Sequence, residues 1–204
     1  FFWRAPLAIS VHPDQPYQTL QDLIDAAKAD PGAIPIATGG VGTGGHFASE
    51  LFQYAAGIKL QHIPYKGASG ATTDAVAGHV PVLSSNASVP GAQLEPGQLR
   101  VLAVTGAQPS KFSPEWPTLQ SQGVKDVDAS NWTLLPAPKG TPKEIVHKLQ
   151  AEVVKILAMP DVKERFAGGG VETIPSTASE LDARVKKTAQ QLLVIVEKAK
   201  IKPD

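Results

Sequence analysis

Residues 36–52, IATGGVGTGGHFASELF, contain the pattern that decides the fold. Small and apolar residues lead into a loop with five glycines, and an amphipathic pattern follows. This order predicts a strand, an open loop and the amino end of a helix. Glycine lets backbone N–H groups crowd around a ligand, and the first N–H groups of a helix lack intrahelical partners. The stretch therefore predicts an anion-binding site.

The loop resembles two nucleotide-binding motifs, but in each case this chain lacks a residue that the motif requires. Residues 40–45 fit G-x-G-x-x-G, but the next strand ends at Ile63-Pro64-Tyr65-Lys66, without the acid that would hold a ribose. A P-loop needs lysine where Gly45 stands and Ser or Thr where His46 stands. The remaining candidate ligand is a small carboxylate, which backbone N–H groups and the Thr38 and Thr43 hydroxyls could bind.

Composition excludes several classes of function. The 204 residues carry 19 basic and 19 acidic side chains, so there is no basic excess of the kind that nucleic-acid binding needs. The chain has no cysteine, and its five histidines form no i,i+4 pair, which argues against a zinc site. No apolar run is long enough to cross a membrane. Residues 1–6, FFWRAP, are not a signal peptide and are typical of the interior of a structure.

Strands alternate with helices along the chain, which indicates a parallel or mostly parallel sheet. The pattern divides into two α/β blocks, the first running to about residue 103. Pro35 predicts that the strand before the glycine loop is short or at a sheet edge. Thr19 is predicted to cap a helix, and capping boxes are predicted at 141–144 and 177–180.

Two further polar clusters follow strands, as the glycine loop does. Residues 65–70, YKGASG, form a second small-residue loop that opens a helix, and Ser84-Ser85-Asn86 end a short apolar strand. Ligands of open α/β sheets bind outside the carboxyl ends of the strands. The three clusters are therefore expected to converge.

Five segments of the chain resemble one protein family. They are residues 6–13 (PLAISVHP), 39–52, 62–67 (HIPYKG), 99–105 (LRVLAVT) and 138–146 (PKGTPKEIV). Together they resemble the substrate-binding proteins of tripartite tricarboxylate transporters, including the group called Bug proteins. Ser85 stands where many members carry aspartate, which argues against an α-ammonium group and for a carboxylate with a neutral or aromatic remainder.

The resemblance implies an α/β, bilobal type II periplasmic-binding-protein fold, with the N-terminal part of lobe one missing from this chain. Residues 1–11 would end lobe one and supply the first hinge strand. Residues 12–103 would form lobe two with the return hinge strand, and residues 104–204 the C-terminal part of lobe one.

The candidate ligand-binding residues lie in the three clusters and in a later strand. They are Thr38, Gly39, Gly42, Thr43, Gly44, Tyr65, Lys66, Gly67, Ser69, Ser85, Asn86 and Trp132. Tyr65 either lines the cleft or packs under its loop, and Trp132 either lines the cleft or packs in the core. His46 is expected to be a hydrogen-bonded cap partner, and Lys66 a solvated or ion-paired side chain.

The resemblance implies a non-enzymatic, periplasmic solute receptor that binds a small organic carboxylate and delivers it to membrane transporter subunits. It would be a monomer, without catalytic residues, metal or cofactor, and neither bind nucleic acid nor insert into the membrane. Two alternatives stay open. One is a nucleotide-dependent enzyme on a Rossmann-like sheet, and the other is the effector-binding domain of a transcription regulator.

Overall fold

The chain folds into two compact units. The computed structural model describes residues 3–88, 97–110, 113–168, 170–174 and 176–199. The first unit contains Phe1–Ala5 and Trp132–Gln191, and the second contains Pro6–Asn131 and Leu192–Asp204. The strand that opens the chain runs from the first unit into the second.

Strands and helices alternate through most of the described residues. The strands are β1 (Trp3–Val11), β2 (Pro35–Thr38), β3 (Gln61–Pro64), β4 (Val82–Asn86), β5 (Arg100–Val104), β6 (Ser130–Thr133) and β7 (Glu172–Thr173). The helices are α1 (Leu20–Ala29), α2 (Gly44–Ala56), α3 (Ala68–Val76), α4 (Lys143–Ala158), α5 (Pro160–Gly168) and α6 (Ala178–Ala199).

The sheet of the second unit has the order β3-β2-β4-β1-β5. β2 is parallel to β3 and β4, while β1 lies between β4 and β5 and is antiparallel to both. The sheet is therefore mixed: the expected parallel pairing holds for β2, β3 and β4, and the reversed strand β1 departs from it. Of the two options that Pro35 left, the short strand is correct: β2 has four residues, begins at Pro35 and lies inside the sheet.

Helices cover both faces of this sheet. Ile36 of β2 packs in the apolar cluster that contains Phe52 of α2, together with side chains of α1. The next residue, Ala37, packs in the cluster that contains Ala71 of α3. Because successive side chains of a strand point to opposite faces, α2 and α3 lie on opposite sides of β2.

Side-chain caps start some of the helices as predicted. Thr19 Oγ1 accepts the Asp22 N–H at 3.2 Å, and Asp22 Oδ2 accepts the Thr19 N–H at 2.8 Å, which completes a capping box. The box predicted at residues 141–144 is wrong. Helix α4 begins at Lys143 with Pro142 at the N-cap position, so no side-chain hydrogen bond caps it, and the Thr141 hydroxyl donates to the Pro138 carbonyl at 2.8 Å.

The described part of the first unit is a small sheet with three helices. Trp3 pairs with Thr173 and Arg4 with Glu172 in the β1–β7 ladder. The guanidinium of Arg4 lies 2.8 Å from the Glu172 carboxylate, so an ion pair joins the same two strands. Within the described ranges, every helix is too short or too polar to cross a membrane.

Candidate ligand-binding site

The glycine loop and the second loop lie side by side at one edge of the sheet. Hydrogen bonding between β2 and β3 continues past the ends of both strands. The Tyr65 N–H donates to the Thr38 carbonyl, and the Gly67 N–H donates to the Gly39 carbonyl, each at 3.0 Å. Two of the three predicted clusters are therefore brought together by backbone bonds.

The hydroxyls of the glycine loop bind the loop itself. Thr38 is fully buried, and its Oγ1 accepts the Gly40 N–H at 3.2 Å. Thr43 Oγ1 donates to the Gly40 carbonyl at 2.7 Å and accepts the His46 N–H at 3.4 Å, so Thr43 caps α2. These bonds give both threonines a part in shaping the loop, and their contact with a ligand stays a prediction.

Close approaches explain why several positions here are glycine. A Cβ on Gly45 would lie 2.5 Å from the Ser84 carbonyl oxygen, and one on Gly39 would lie 3.2 Å from the Ala68 nitrogen. At Gly42 the space is open, but φ is +72°, a conformation that L side chains rarely adopt. The glycines therefore seat α2 against β4 and the two loops against each other.

The second loop begins α3 without a side-chain cap. The residue before the helix, Gly67, has φ +121° and ψ 159° and supplies no side chain. Lys66 and Ser69 are exposed beside it. Because the first N–H groups of a helix have no intrahelical partner, this end of α3 is a place for an anion.

Tyr65 packs under the second loop. Its ring lies against the apolar cluster that contains Ala71 and Ala75 of α3. Its hydroxyl donates to Asp74 Oδ2 at 2.6 Å, and this bond to a carboxylate raises the pKa of Tyr65 to about 12. Tyr65 therefore packs under its loop, and its contact with a ligand stays a prediction.

The third cluster meets a residue that the sequence analysis did not select. Ser85 is buried at the end of β4, and Asn86 Oδ1 accepts the side-chain N–H of Asn131 at 2.5 Å. A Cβ on Gly44 would overlap the Asn131 amide oxygen, so this amide lies against the start of α2. The available signal was a polar pair, Ser130-Asn131, placed where a turn-rich segment enters a strand.

Two histidines support the glycine loop from behind. The His46 and His62 rings stack with centroids 4.0 Å apart and planes 7° apart. His46 Nδ1 accepts the Gly42 N–H at 3.1 Å, and His62 Nε2 lies 2.7 Å from Thr38 Oγ1. Burial lowers the pKa of His46, and burial together with the nearby His46 lowers the pKa of His62 to about 4. Both rings are therefore neutral near neutral pH.

The site is built from neutral donors. Across residues 38–45, 65–70 and 84–86, Lys66 is the single charged side chain in the sequence. Within the described residues, no group of three or more potential ligand side chains is placed to hold a metal ion. Such a site can bind an anion through backbone N–H groups, hydroxyls and amides, with the positive ends of α2 and α3 supplying the field.

Trp132 belongs to the other unit. It lies in β6 and is the first residue of the long segment of the first unit, whereas the other candidates lie in the second unit. Its part in ligand binding stays a prediction.

The fold is that of a periplasmic binding protein. Periplasmic binding protein BugD aligns with a TM-score of 0.85 at 28% identity, covering 100% of this chain and 69% of that one. The R. palustris protein Rpa4515, solved with adipate, aligns with a TM-score of 0.89 at 28% identity, covering 100% and 68%. The type II periplasmic-binding-protein fold expected from the sequence is therefore confirmed.

The family follows from the sequence match. Residues 2–201 match the family described as the tripartite tricarboxylate transporter family receptor, and the chain belongs to that family. A protein of Pseudomonas sp. strain P51, named for the tcbD–tcbE intergenic region, is 32% identical over 193 residues. That alignment covers 93% of this chain and 57% of the relative, so the chain spans under two thirds of the relative's length. The family is one of receptors and not a class of enzymes, and the expected Bug relationship is confirmed.

Proposed function

We propose that this chain is part of a periplasmic receptor that binds a small organic carboxylate. The observation that carries the proposal is the pairing of two helix starts at one sheet edge. The loop before α2 and the loop before α3 are joined by the bond from the Gly67 N–H to the Gly39 carbonyl. A carboxylate there would accept backbone N–H groups from one or both helix starts, in the field of both dipoles.

The ligand class is supported by the chemistry of the loops and by a relative. Neutral donors with one exposed lysine fit a carboxylate better than a polyphosphate, which needs more countercharge. The R. palustris neighbour is solved with adipate, a dicarboxylate. In this proposal the receptor works as a monomer and closes two lobes on the ligand, with lobe two at residues 12–103 and residues 1–11 and 104–204 in lobe one. The closed receptor then docks on the membrane subunits of a tripartite tricarboxylate-type transporter.

Calorimetry on the full-length protein tests the ligand class. We expect saturable binding of at least one member of a panel of aliphatic and aromatic mono-, di- and tricarboxylates that includes adipate. Adipamide, the neutral diamide of adipate, is the matched control and should not bind, since it carries no charge for the helix dipoles. Failure of the whole panel, or equal binding of the acid and the diamide, would contradict the proposal.

A charge substitution tests the place of binding. In Asn131→Asp, a side chain of the same size brings a negative charge against the start of α2, so the affinity should fall about tenfold or more. Gln61→Glu makes the same chemical change on an exposed residue at the opposite end of β3. Equal losses in the two variants would show a general charge effect and remove the support for this site.

A further inference from the structure

The bond from Gly42 to His46 determines which nitrogen of the imidazole carries a proton. Nδ1 accepts the Gly42 N–H at 3.1 Å, and a ring nitrogen that accepts a hydrogen bond carries no proton. Neutral His46 therefore has its proton on Nε2, which faces Glu50 Oε1 at 3.8 Å. The residue held in this way, Gly42, lies in the turn directly before the cap of α2.

The stacked partner of His46 holds a second part of the same loop. His62 Nε2 lies 2.7 Å from Thr38 Oγ1, which also accepts the Gly40 N–H at 3.2 Å. Two backbone N–H groups of the glycine loop, those of Gly42 and Gly40, are thus tied to the two imidazoles. One tie is direct, and the other passes through the threonine hydroxyl.

The surroundings of the pair favour the neutral rings. The titratable groups that face His46 are Glu50, on its own helix, and His62, on β3. The adjoining strand β2 presents the uncharged hydroxyl of Thr38 to His62. Burial raises the pKa of Glu50, which works against a fixed negative charge beside the rings.

We propose that His46 is a positioning residue for ligand binding: its neutral imidazole shapes the glycine loop, and its protonation releases that loop. The inference rests on the proposed carboxylate site. A proton on Nδ1 turns the acceptor into a donor that faces the Gly42 N–H, and two donors cannot share the bond. Gly42 then loses its partner, the turn before α2 loosens, and the N–H groups no longer converge on the ligand.

Nuclear magnetic resonance without ligand tests the positioning part. At pH 7.5 the imidazole nitrogen shifts of His46 should show the Nε2–H tautomer. Hydrogen exchange of the Gly42 amide should speed up about five- to tenfold in His46→Ala, the effect of one lost hydrogen bond. His46→Asn, whose side-chain oxygen replaces Nδ1 as acceptor, should restore the slow exchange. The Nδ1–H tautomer, or unchanged exchange in His46→Ala, would overturn the proposal, and the tautomer is measured whether or not the variants fold.

Adipate titrations at several pH values test the link to binding. Between pH 7.5 and 4.5, wild type should lose at least about fivefold more affinity than His46→Asn, which cannot take up the proton. Protonation of adipate itself affects both proteins equally and cancels in the ratio of dissociation constants. His147→Asn, on the exposed face of α4, should keep the pH profile of wild type.

The outcomes separate the two proposals. A ratio that stays constant with pH, or wild-type affinity that rises relative to His46→Asn as pH falls, would overturn the role of His46 while leaving the carboxylate site intact. If adipate fails to bind wild type at pH 7.5, the titration uses the carboxylate that binds best in the calorimetric panel. If the whole panel fails, the proposed function is wrong, and the ligand-free measurements still decide the positioning of Gly42.

Discussion

The starts of α2 and α3 occupy equivalent positions in the fold but differ in how their first N–H groups are capped. Each helix follows a parallel strand of the same sheet, and the two preceding loops are hydrogen-bonded to each other. Helix α2 is capped by Thr43 and supported by His46, whereas α3 starts at Gly67 with no side-chain cap. In the proposed site, the capped start would shape the glycine loop, and the uncapped start would offer its N–H groups to an anion. Substitutions at the start of α2 and at the start of α3 can test this difference.

Gly45→Ala should have the largest effect on stability, because it disrupts the close packing of α2 against β4. The new Cβ would lie 2.5 Å from the Ser84 carbonyl oxygen, a backbone atom that moves only if the helix or β4 moves. We expect the free energy of unfolding to fall by about 2 kcal/mol or more, as in other overpacked sites. Urea denaturation followed by circular dichroism measures it.

The matched control for Gly45→Ala is Gly70→Ala, in α3. There the added Cβ meets one ring carbon of Tyr65 at 3.4 Å, an ordinary contact, and alanine favours the helix. This variant should be as stable as wild type or more stable. Equal losses in the two variants would mean that α2 is no more tightly seated than α3.

Thr43→Ala removes the side-chain cap of α2, so that α2 starts without a cap, as α3 does. The Thr43 hydroxyl accepts the His46 N–H and donates to the Gly40 carbonyl, and both bonds disappear. We expect a loss of about 1 kcal/mol in the free energy of unfolding, the usual cost of deleting an N-cap. Thr43→Ser keeps the hydroxyl and should stay near wild type. A serine variant as unstable as the alanine variant would assign the effect to the lost methyl group and not to the cap.

Lowering the pH should reduce the free energy of unfolding through His62, which supports the start of α2. Near pH 6 this loss should be smaller than the loss expected for Thr43→Ala. Burial and the neighbouring His46 lower the pKa of His62 from 6.5 to about 4, so the unfolded chain binds the proton more tightly than the folded one. The stabilisation is complete above about pH 6.5 and is lost as pH falls toward 4. His62→Gln carries no titrating ring, so its free energy of unfolding should fall less over this range in urea titrations. Parallel curves for the two proteins would contradict the prediction.

Ser69→Ala should have the smallest effect on stability, and it tests ligand binding at the uncapped start of α3 alone. Ser69 is exposed in the first turn of α3, so the free energy of unfolding should stay within about 0.5 kcal/mol of wild type. Affinity for the bound carboxylate should nevertheless fall, because Ser69 is one of the predicted ligand-binding residues. Thr73→Ala, which removes a hydroxyl one turn further along α3, should leave affinity unchanged. Equal affinities of all three proteins would remove Ser69 from the site.

The local features of the site could be predicted because their signals lie close together in sequence. The strand, the glycine loop and α2 all fall within residues 35–56, where apolar spacing and glycine decide the conformation. Thr19 likewise caps α1 through Asp22, three residues on. At Thr141 the same kind of pattern misled, because the helix begins one residue later than the pattern indicated, with Pro142 at the N-cap position.

The remaining features depend on residues that are distant in sequence. Asn131 reaches Asn86 across the sheet edge, and no spacing rule connects the two positions. The stacking of His46 on His62 depends on α2 and β3 meeting in space. Apolar patterns also leave the direction of a strand open, which is why the reversal of β1 could not be predicted.

The central place of β1 has a consequence for how this chain folds as it is synthesised. Leu7 pairs with Asn86 and Ala8 with Val104, so β1 is completed by partners that are made much later than β1 itself. The parallel pair of β2 and β3 can form as soon as residue 64 has emerged, while β1 still lacks its neighbours. Pairings between such distant residues slow folding. Closing β1 between β4 and β5 is therefore expected to be the late and slow step in assembling the second unit.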